Sequence, residues 1–277
     1  MVGNREIIGV DFSGSANSIG EHLCLTIGSI KSGELRINRC HTAYDEFGTS
    51  EREEVLEKLC ALISESASAS SRTVGMDFPF GLPKEVLSDN VVRDGRWDSL
   101  LNEFYRSYGD DPREMTEECW DRGEHAPGPN KEYKRLTDKR REGLCPYNIR
   151  INYSTYFGIV AVLMEVRDKV SVLPMDDGAD DLPWVLETYP KAVSDERNIE
   201  STGYKDQTMC SLHHRKRIVK DIRLDLLIDD EDRLFALSND NALDSLLAAY
   251  ATFEAVKGGY EPPDDDEWCP VEGYIHA

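Results

Sequence analysis

The order of the first predicted elements constrains the fold of this chain more than any other feature. A short apolar run at residues 6–10 predicts a strand, and two segments with alternating apolar residues, 23–27 and 35–37, predict an antiparallel hairpin after it. A helix with one apolar face is predicted over residues 50–64, and a further strand over residues 73–78. The sequence therefore predicts a meander of three antiparallel strands, then a helix, then a fourth strand that can lie parallel to the first.

The second half of the chain continues an α/β pattern. The segment at about 84–150 is charged and rich in turn signals, with one predicted helix around Trp97 to Tyr105, and it has the character of an insertion. The later predicted elements are a helix at residues 153–167, a strand at 184–188, a helix near 209–227 and a helix at 241–256 that Gly258 and Gly259 close.

Strand, strand, strand, helix, strand is the order in which an RNase H-like sheet is built. We therefore expect one α/β domain over residues 1–277, with a mixed five-stranded sheet flanked by helices. In this sheet, strands 1–3 form the antiparallel meander and strands 4 and 5 are parallel. The helical and irregular insertion at about 84–150 and an acidic tail at about 261–270 complete the expected organisation.

The chain is strongly acidic, with 53 Asp and Glu residues against 32 Lys and Arg residues and a formal net charge of −21. This balance favours a halophilic protein, whose acidic surface is screened by salt, over an ordinary acidic mesophilic protein. At about 1 M salt the Debye length is only about 3 Å, so the charge does not exclude a nucleic-acid partner. No apolar run approaches the roughly 20 residues that cross a bilayer, which predicts a soluble, cytoplasmic protein without membrane contact.

Two predicted strands end on a carboxylate in the same way. Asp11 follows Ile-Ile-Gly-Val, and Asp77 follows Val-Gly-Met. If these strands are parallel neighbours, both side chains lie at the carboxyl edge of the sheet, where open α/β sheets place their ligands. An Asp at such a position also commonly starts a turn, but two matching strand ends favour a functional site.

Asp244 is the most informative acid in the last predicted helix. It falls on the small-residue side made by Leu247, Ala248 and Ala251, which can pack closely against a sheet. An unpaired charge there is costly unless it is paired or bound to a metal. The alternative is a first-turn Asp stabilised by the helix dipole, with Asn239 or Asp240 as the cap.

Glu187 ends the predicted fifth strand and repeats the pattern of Asp11 and Asp77. Three or four converging carboxylates repel each other, and a divalent cation is the usual compensation. Oxygen ligands select Mg²⁺ or Mn²⁺. Two such ions about 4 Å apart would generate a nucleophile and stabilise the leaving oxygen of a phosphodiester.

Basic residues stand out in so acidic a chain. Lys205 precedes the cluster at residues 213–217, which contains Arg215, and a second cluster covers residues 134–141. Most of these side chains are expected on solvated helix faces, but Lys205 and Arg215 are candidates for binding phosphate. The turn from Asp11 through Ser13 to Ser15 also resembles the phosphate turn of sugar kinases and actin-like ATPases, or else forms a tight hairpin turn.

Several segments together resemble domain-of-unknown-function family 429, a family of predicted RNase H-like nucleases. The resembling segments are Ile8-Gly-Val-Asp11, Gly75-Met-Asp77-Phe-Pro-Phe-Gly-Leu-Pro83, Glu187-Thr-Tyr-Pro190, Lys205 with Arg215, Asp240-Asn-Ala-Leu-Asp244-Ser-Leu-Leu-Ala-Ala and Glu272-Gly-Tyr-Ile. The resemblance implies an RNase H-like fold with Asp11, Asp77 and Asp244 as the acidic core and Glu187 as a further family position. The chain departs from true RNase H enzymes in the helix at 50–64, whose glutamates are expected to face solvent.

The main functional hypothesis is a Mg²⁺- or Mn²⁺-dependent phosphodiesterase that acts on nucleic acid. Asp11, Asp77 and Asp244 would bind the metal, Glu187 would complete the catalytic set, and Lys205, Arg215 and Ser13 would hold phosphate. A nucleotide-binding phosphotransferase remains open, but it would need a second phosphate turn. A non-catalytic interaction protein that keeps the fold also remains open.

Overall fold

The computed structural model describes residues 5–12, 22–64, 72–128, 131–176, 178–179, 181–197, 203–205, 208–223, 226–262 and 267–277. Ser13, Gly14 and Ser15 of the predicted phosphate turn lie outside these residues, as does the middle of the predicted acidic tail.

The sheet contains the five predicted strands and three short additional ones. The strands are β1 (Glu6–Asp11), β2 (Cys24–Lys31), β3 (Glu34–Thr42), β4 (Arg72–Met76), β5 (Ser171–Leu173), β6 (Trp184–Thr188), β7 (Leu226–Leu227) and β8 (Ile275–His276). Their order in the sheet is β5-β6-β4-β1-β2-β3-β7, with β8 beside β6. Strands β1 to β3 are antiparallel, whereas β4 is parallel to both β1 and β6, which confirms the predicted mixed sheet.

The hairpin between β2 and β3 shows how the sequence dictates local structure. Its two turn residues, Ser32 and Gly33, have φ values of 55° and 85°. Positive φ at both central positions is the geometry that matches the twist of an antiparallel pair, and glycine adopts it without strain.

Helices surround the sheet. They are α1 (Ala43–Phe47), α2 (Arg52–Ser64), α3 (Asp89–Asp94), α4 (Trp97–Tyr108), α5 (Pro112–His125), α6 (Leu136–Arg140), α7 (Asn152–Phe157), α8 (Met164–Val166), α9 (Pro190–Glu196), α10 (Met209–Ile222), α11 (Asp230–Ser238), α12 (Asp240–Gly258) and α13 (Cys269–Glu272), with a 3-10 turn at Lys84–Val86 and a π-helix at Gly158–Leu163 between α7 and α8. Among the described residues, none of these helices is long and apolar enough to cross a membrane.

Two regions are more helical than the sequence predicts. The insertion contains α3 to α6 where one helix is expected, because the buried side of α5 uses Thr116, Cys119 and Gly123, which weaken its apolar periodicity. The helix predicted near residues 209–227 stops at Ile222, and a separate helix, α11, follows with Asp229 as its N-cap.

The two faces of the sheet are covered by different segments. Ile8 and Val10 of β1 pack with α2, the insertion and the π-helix, whereas Ile7 packs with α10, α11 and α12. The insertion therefore belongs to the core on one face. The sheet's carboxyl edge is left between these two layers.

Helix α12 lies directly on the backbone of the central strands. A Cβ atom at Gly9 would be 2.1 Å from the backbone nitrogen of Ala249, and one at Gly75 would be 1.9 Å from Oγ1 of Thr252. Only glycine permits this approach, and the small residues of α12 complete it. The close packing fixes where Asp244 stands relative to β1.

Candidate metal centre

Asp11 and Asp77 lie side by side at the carboxyl ends of two parallel strands. Val10 of β1 is paired with Met76 of β4, and the backbone N–H of Asp77 donates to the carbonyl of Val10 at 3.0 Å. Because the two strands stop at the same level, the sheet register itself brings both carboxylates to one point.

Asp244 reaches the same point from α12. Asn239 caps this helix by accepting the N–H groups of Asn241 and Ala242, so Asn239 rather than Asp240 is the N-cap. Asp244 follows within the first two turns, and only 1% of it is exposed. Carboxylate oxygens of Asp11, Asp77 and Asp244 all lie within 4.8 Å of one another, and we call this group the aspartate cluster.

Burial and mutual repulsion raise the pKa of each cluster member. Burial and then the charge of Asp244 raise the pKa of Asp77 to about 7. Burial, followed by the charges of Asp244 and Asp77, raises the pKa of Asp11 well above its usual value. The pKa of Asp244 is also raised by burial, although Lys205 and Tyr204 oppose the shift. The cluster therefore disfavours full ionisation.

One ammonium group compensates the cluster in part. Nζ of Lys205 lies 2.7 Å from Oδ2 of Asp244, and the Tyr204 hydroxyl donates to Oδ1 of Asp244 at 2.6 Å. Desolvation of the ammonium group disfavours its charged form, but the hydrogen bond to Asp244 and the charges of Asp244, Asp11 and Asp77 together outweigh this and raise the pKa of Lys205. The side chains of Asp11 and Asp77 receive no hydrogen bond or salt bridge from the described residues, so two negative charges stay uncompensated when all three aspartates ionise.

Glu187 stands beside the cluster but is bound to another partner. Nη1 of the buried Arg135 donates to Oε2 of Glu187 at 2.7 Å, and Nη2 of Arg135 donates to Oε1 at 2.5 Å. Arg135 also contacts Asp138 at 2.7 Å, and the backbone N–H of Phe80 donates to Glu187. The charge of Glu187 contributes to the raised pKa of Asp77, which places it next to the site, yet Arg135 occupies its oxygens. Its predicted catalytic role stays a prediction.

Arg135 lies next to Glu187 near the site, although it was not among the candidate site residues predicted from the sequence. It appeared only as one member of a basic run, whereas the structure buries it completely between Glu187 and Asp138. The available signal was an Asp three residues after an Arg at a helix start, since Asp138 also accepts the backbone N–H of Arg135.

The two predicted phosphate-binding cations have different positions. Arg215 is buried on α10, and its Nη1 donates to the carbonyl of Tyr204 at 3.1 Å. It therefore supports the segment that carries Lys205. The side chain of Lys205 is 60% exposed, so it reaches the cluster from the solvent side.

The glutamates in α2 and just before it face solvent, as the sequence predicts. Glu51, Glu53, Glu54 and Glu57 are exposed. Among the described residues, the group of acids close enough to share a metal contains the three aspartates only.

A cavity of about 380 Å³ opens next to the cluster. Asp11, Asp77 and Lys205 line it on the side of the sheet edge. Arg150 and Ile151, at the end of the insertion, also line it. The cluster is thus accessible to a small group that enters between the sheet edge and the insertion.

The sheet topology and the position of the acidic side chains indicate a class of fold. An open mixed sheet with antiparallel strands β1 to β3, parallel strands β4 and β6, and acidic side chains at the strand ends is consistent with an RNase H-like fold. The chain belongs to a family described as protein of unknown function, DUF429, whose family model matches residues 9–267. No curated protein and no solved structure gave a significant match.

Proposed function

We propose that Asp11, Asp77 and Asp244 bind Mg²⁺ or Mn²⁺ and that the protein hydrolyses phosphodiesters of nucleic acid. The observation that carries the proposal is the aspartate cluster, in which three carboxylates share one buried point with a single ammonium group. Buried like charges at such a distance are costly, and a divalent cation removes the cost.

The donor set fits this kind of ion. All three side chains offer oxygen atoms, which suit Mg²⁺ and Mn²⁺ better than zinc. Asp11 is 8% exposed and receives no hydrogen bond from the described residues, so its oxygens remain available. A bound cation would supply Lewis-acid stabilisation of the charge on the phosphoryl oxygens.

The protein's own residues would prepare the site and hold the substrate. Tyr204 fixes one oxygen of Asp244, and Arg215 fixes the backbone of Tyr204. Asp77, with a pKa of about 7, would have to give up its proton to hold a cation. Lys205 is then free to leave Asp244 and bind a phosphate oxygen from the solvent side.

The phosphodiesterase is favoured over the phosphotransferase by the loop after β4. A second phosphate turn would need free backbone N–H groups there, but the N–H of Phe80 donates to Glu187. Phe78 and Phe80 are buried against each other, with ring centroids 5.0 Å apart. This loop therefore supports the sheet edge and does not form a phosphate cradle.

Calorimetric titration tests the metal site. We expect Mn²⁺ to bind the wild type and to bind Asp11→Asn more than about tenfold more weakly, because the variant loses a carboxylate ligand. Asp98→Asn, which makes the same change at an exposed position of α4, is the matched control and should bind Mn²⁺ as the wild type does. Unchanged binding by Asp11→Asn, or no binding by the wild type, would remove the metal-site proposal.

Substrate assays then separate the functions. Labelled single-stranded, duplex and hybrid nucleic acids and ATP are incubated in molar KCl with Mg²⁺ or Mn²⁺. Cleavage that Asp11→Asn abolishes supports the phosphodiesterase. Phosphoryl transfer from ATP would favour the phosphotransferase, and no reaction with any divalent ion would favour an interaction protein.

A further inference from the structure

The cavity beside the aspartate cluster is small for the proposed substrate. At about 380 Å³ it lies near the lower end of the range of small-ligand pockets, about 300–1,000 Å³. A duplex keeps its nucleotides stacked and paired. Enzymes that draw a nucleotide into a pocket therefore act on single strands or must first unstack and unpair the nucleotide, which costs free energy. A cavity of this size therefore favours an unpaired nucleotide.

The lining of the same cavity includes an available positive charge. Arg150 lines the cavity, is exposed, and forms no ion pair with any described residue. Its backbone is fixed, because its N–H donates to the side-chain oxygen of Asn148 at 3.0 Å. Arg135 also lines the cavity, but Glu187 and Asp138 neutralise it. Of Arg135 and Arg150, Arg150 is therefore the one whose charge is available to bind a phosphate in this cavity.

The same cavity offers an aromatic surface. Tyr189, which follows β6, lines the cavity and is partly exposed. An aromatic ring stacks on any base, and such stacking is a main source of affinity in proteins that bind single strands. A cation and an aromatic ring in one cleft are the pair of features that such proteins combine.

From this juxtaposition we infer that the cleft takes one nucleotide of a single-stranded nucleic acid. Arg150 binds a phosphate adjoining the one at the aspartate cluster, and Tyr189 packs against the base. The inference rests on the proposed phosphodiesterase function and adds its substrate class. Arg150 and Tyr189 become residues that determine specificity.

Binding measurements test the inference without requiring cleavage. Fluorescence anisotropy is measured with a short labelled single strand and with the same sequence as a duplex, in Ca²⁺ and over a series of KCl concentrations. We expect the single strand to bind at least about tenfold more tightly than the duplex. Arg150→Gln should weaken single-strand binding about tenfold, since it removes a charge-assisted contact, and Arg150→Lys should retain most of it.

Two matched controls make the result specific. Arg106→Gln removes the same charge from an exposed site on α4 outside the cavity and should leave binding unchanged. Tyr189→Phe should bind as the wild type does, whereas Tyr189→Ala should bind several-fold more weakly. Equal affinity for duplex and single strand, or equal effects of Arg150→Gln and Arg106→Gln, would overturn the inference.

Failure of the inference and failure of the proposed function have different signatures. Mn²⁺ binding and diester cleavage without any preference for single strands would overturn only the inference. Wild-type protein that binds no Mn²⁺ would overturn the proposed function, and the inference with it.

Discussion

At the scale of single residues, the site combines groups whose ordinary ionisation is suppressed. Asp77 illustrates this, because burial and Asp244 raise its pKa from 3.8 to about 7. The charged form of this carboxylate, which the proposed cation would require, is thus held where it destabilises the fold in the absence of a cation. Functional sites commonly trade stability for chemistry in this way.

The sign of this effect gives a pH-dependent prediction. The folded Asp77 keeps its proton up to about pH 7, whereas the unfolded one loses it near 3.8, so the free energy of unfolding falls as pH rises between these values. In EDTA, Asp77→Asn should therefore stabilise the protein, and more at pH 8 than at pH 5. Denaturant unfolding of the wild type and the variant at both pH values measures the change in the free energy of unfolding.

Asp98→Asn, whose parent side chain is exposed, serves as the control for this measurement. If Asp77→Asn stabilises the protein equally at pH 5 and pH 8, ionisation of Asp77 is not the cause of the stabilisation. The same variant should also lose Mn²⁺ affinity, so stability and binding move in opposite directions.

At the scale of elements, the contact between α12 and β1 sets the geometry of the site. Helix α12 carries Asp244, β1 carries Asp11, and Gly9 lets the two backbones meet. A side chain at position 9 would push the helix away from the strand. The distance between the two carboxylates would then change together with the packing.

Gly9→Ala should destabilise the protein by about 3 kcal/mol or more, since the new methyl group meets backbone atoms of Ser245 and Ala249. The folded variant should also bind Mn²⁺ more weakly, because Asp244 is displaced. Thermal unfolding and calorimetry measure the two effects. Gly258→Ala, at a position with nothing within 4 Å, is the control and should be neutral or slightly stabilising. Normal metal affinity in Gly9→Ala would contradict the positioning role.

Elements with a strong local signal could be predicted from the sequence. β1 and β4 are short, almost fully buried apolar runs, and α12 is a long apolar segment. The predicted parallel pairing brings Asp11 next to Asp77 as expected. Strand β5 has only three residues, too few to show a period. The ion pair of Arg135 with Glu187 joins distant parts of the chain, so no local pattern reports it. Long-range partners of single side chains are what the sequence does not reveal.

At the scale of the whole molecule, the net charge of −21 dominates the electrostatics. Self-repulsion of this size destabilises the compact state, and salt screens it. The Debye length shrinks from about 10 Å at 0.1 M salt to about 3 Å at 1 M. The predicted halophilic character therefore implies that salt stabilises the fold, which can be measured.

The Tm at pH 7.5 should rise as KCl increases from 0.1 to 1 M, because screening relieves repulsion. At a pH near the sequence pI of about 4.7, the net charge vanishes and the rise should be much smaller. Differential scanning calorimetry at the two pH values measures the difference. If the Tm rises equally at both pH values, the stabilisation comes from exclusion of the salt from the protein surface and not from screening of charge.

The three aspartates come from β1, from the residue after β4 and from α12, and this separation along the chain also has a kinetic consequence. Two long loops must close before these side chains meet, and contacts between distant segments form late in folding. A partly folded chain offers only isolated carboxylates, which hold a divalent cation weakly. If the cluster binds a divalent cation as proposed, it can do so only at the last stage of folding, and metal occupancy would report that the chain has reached its native topology.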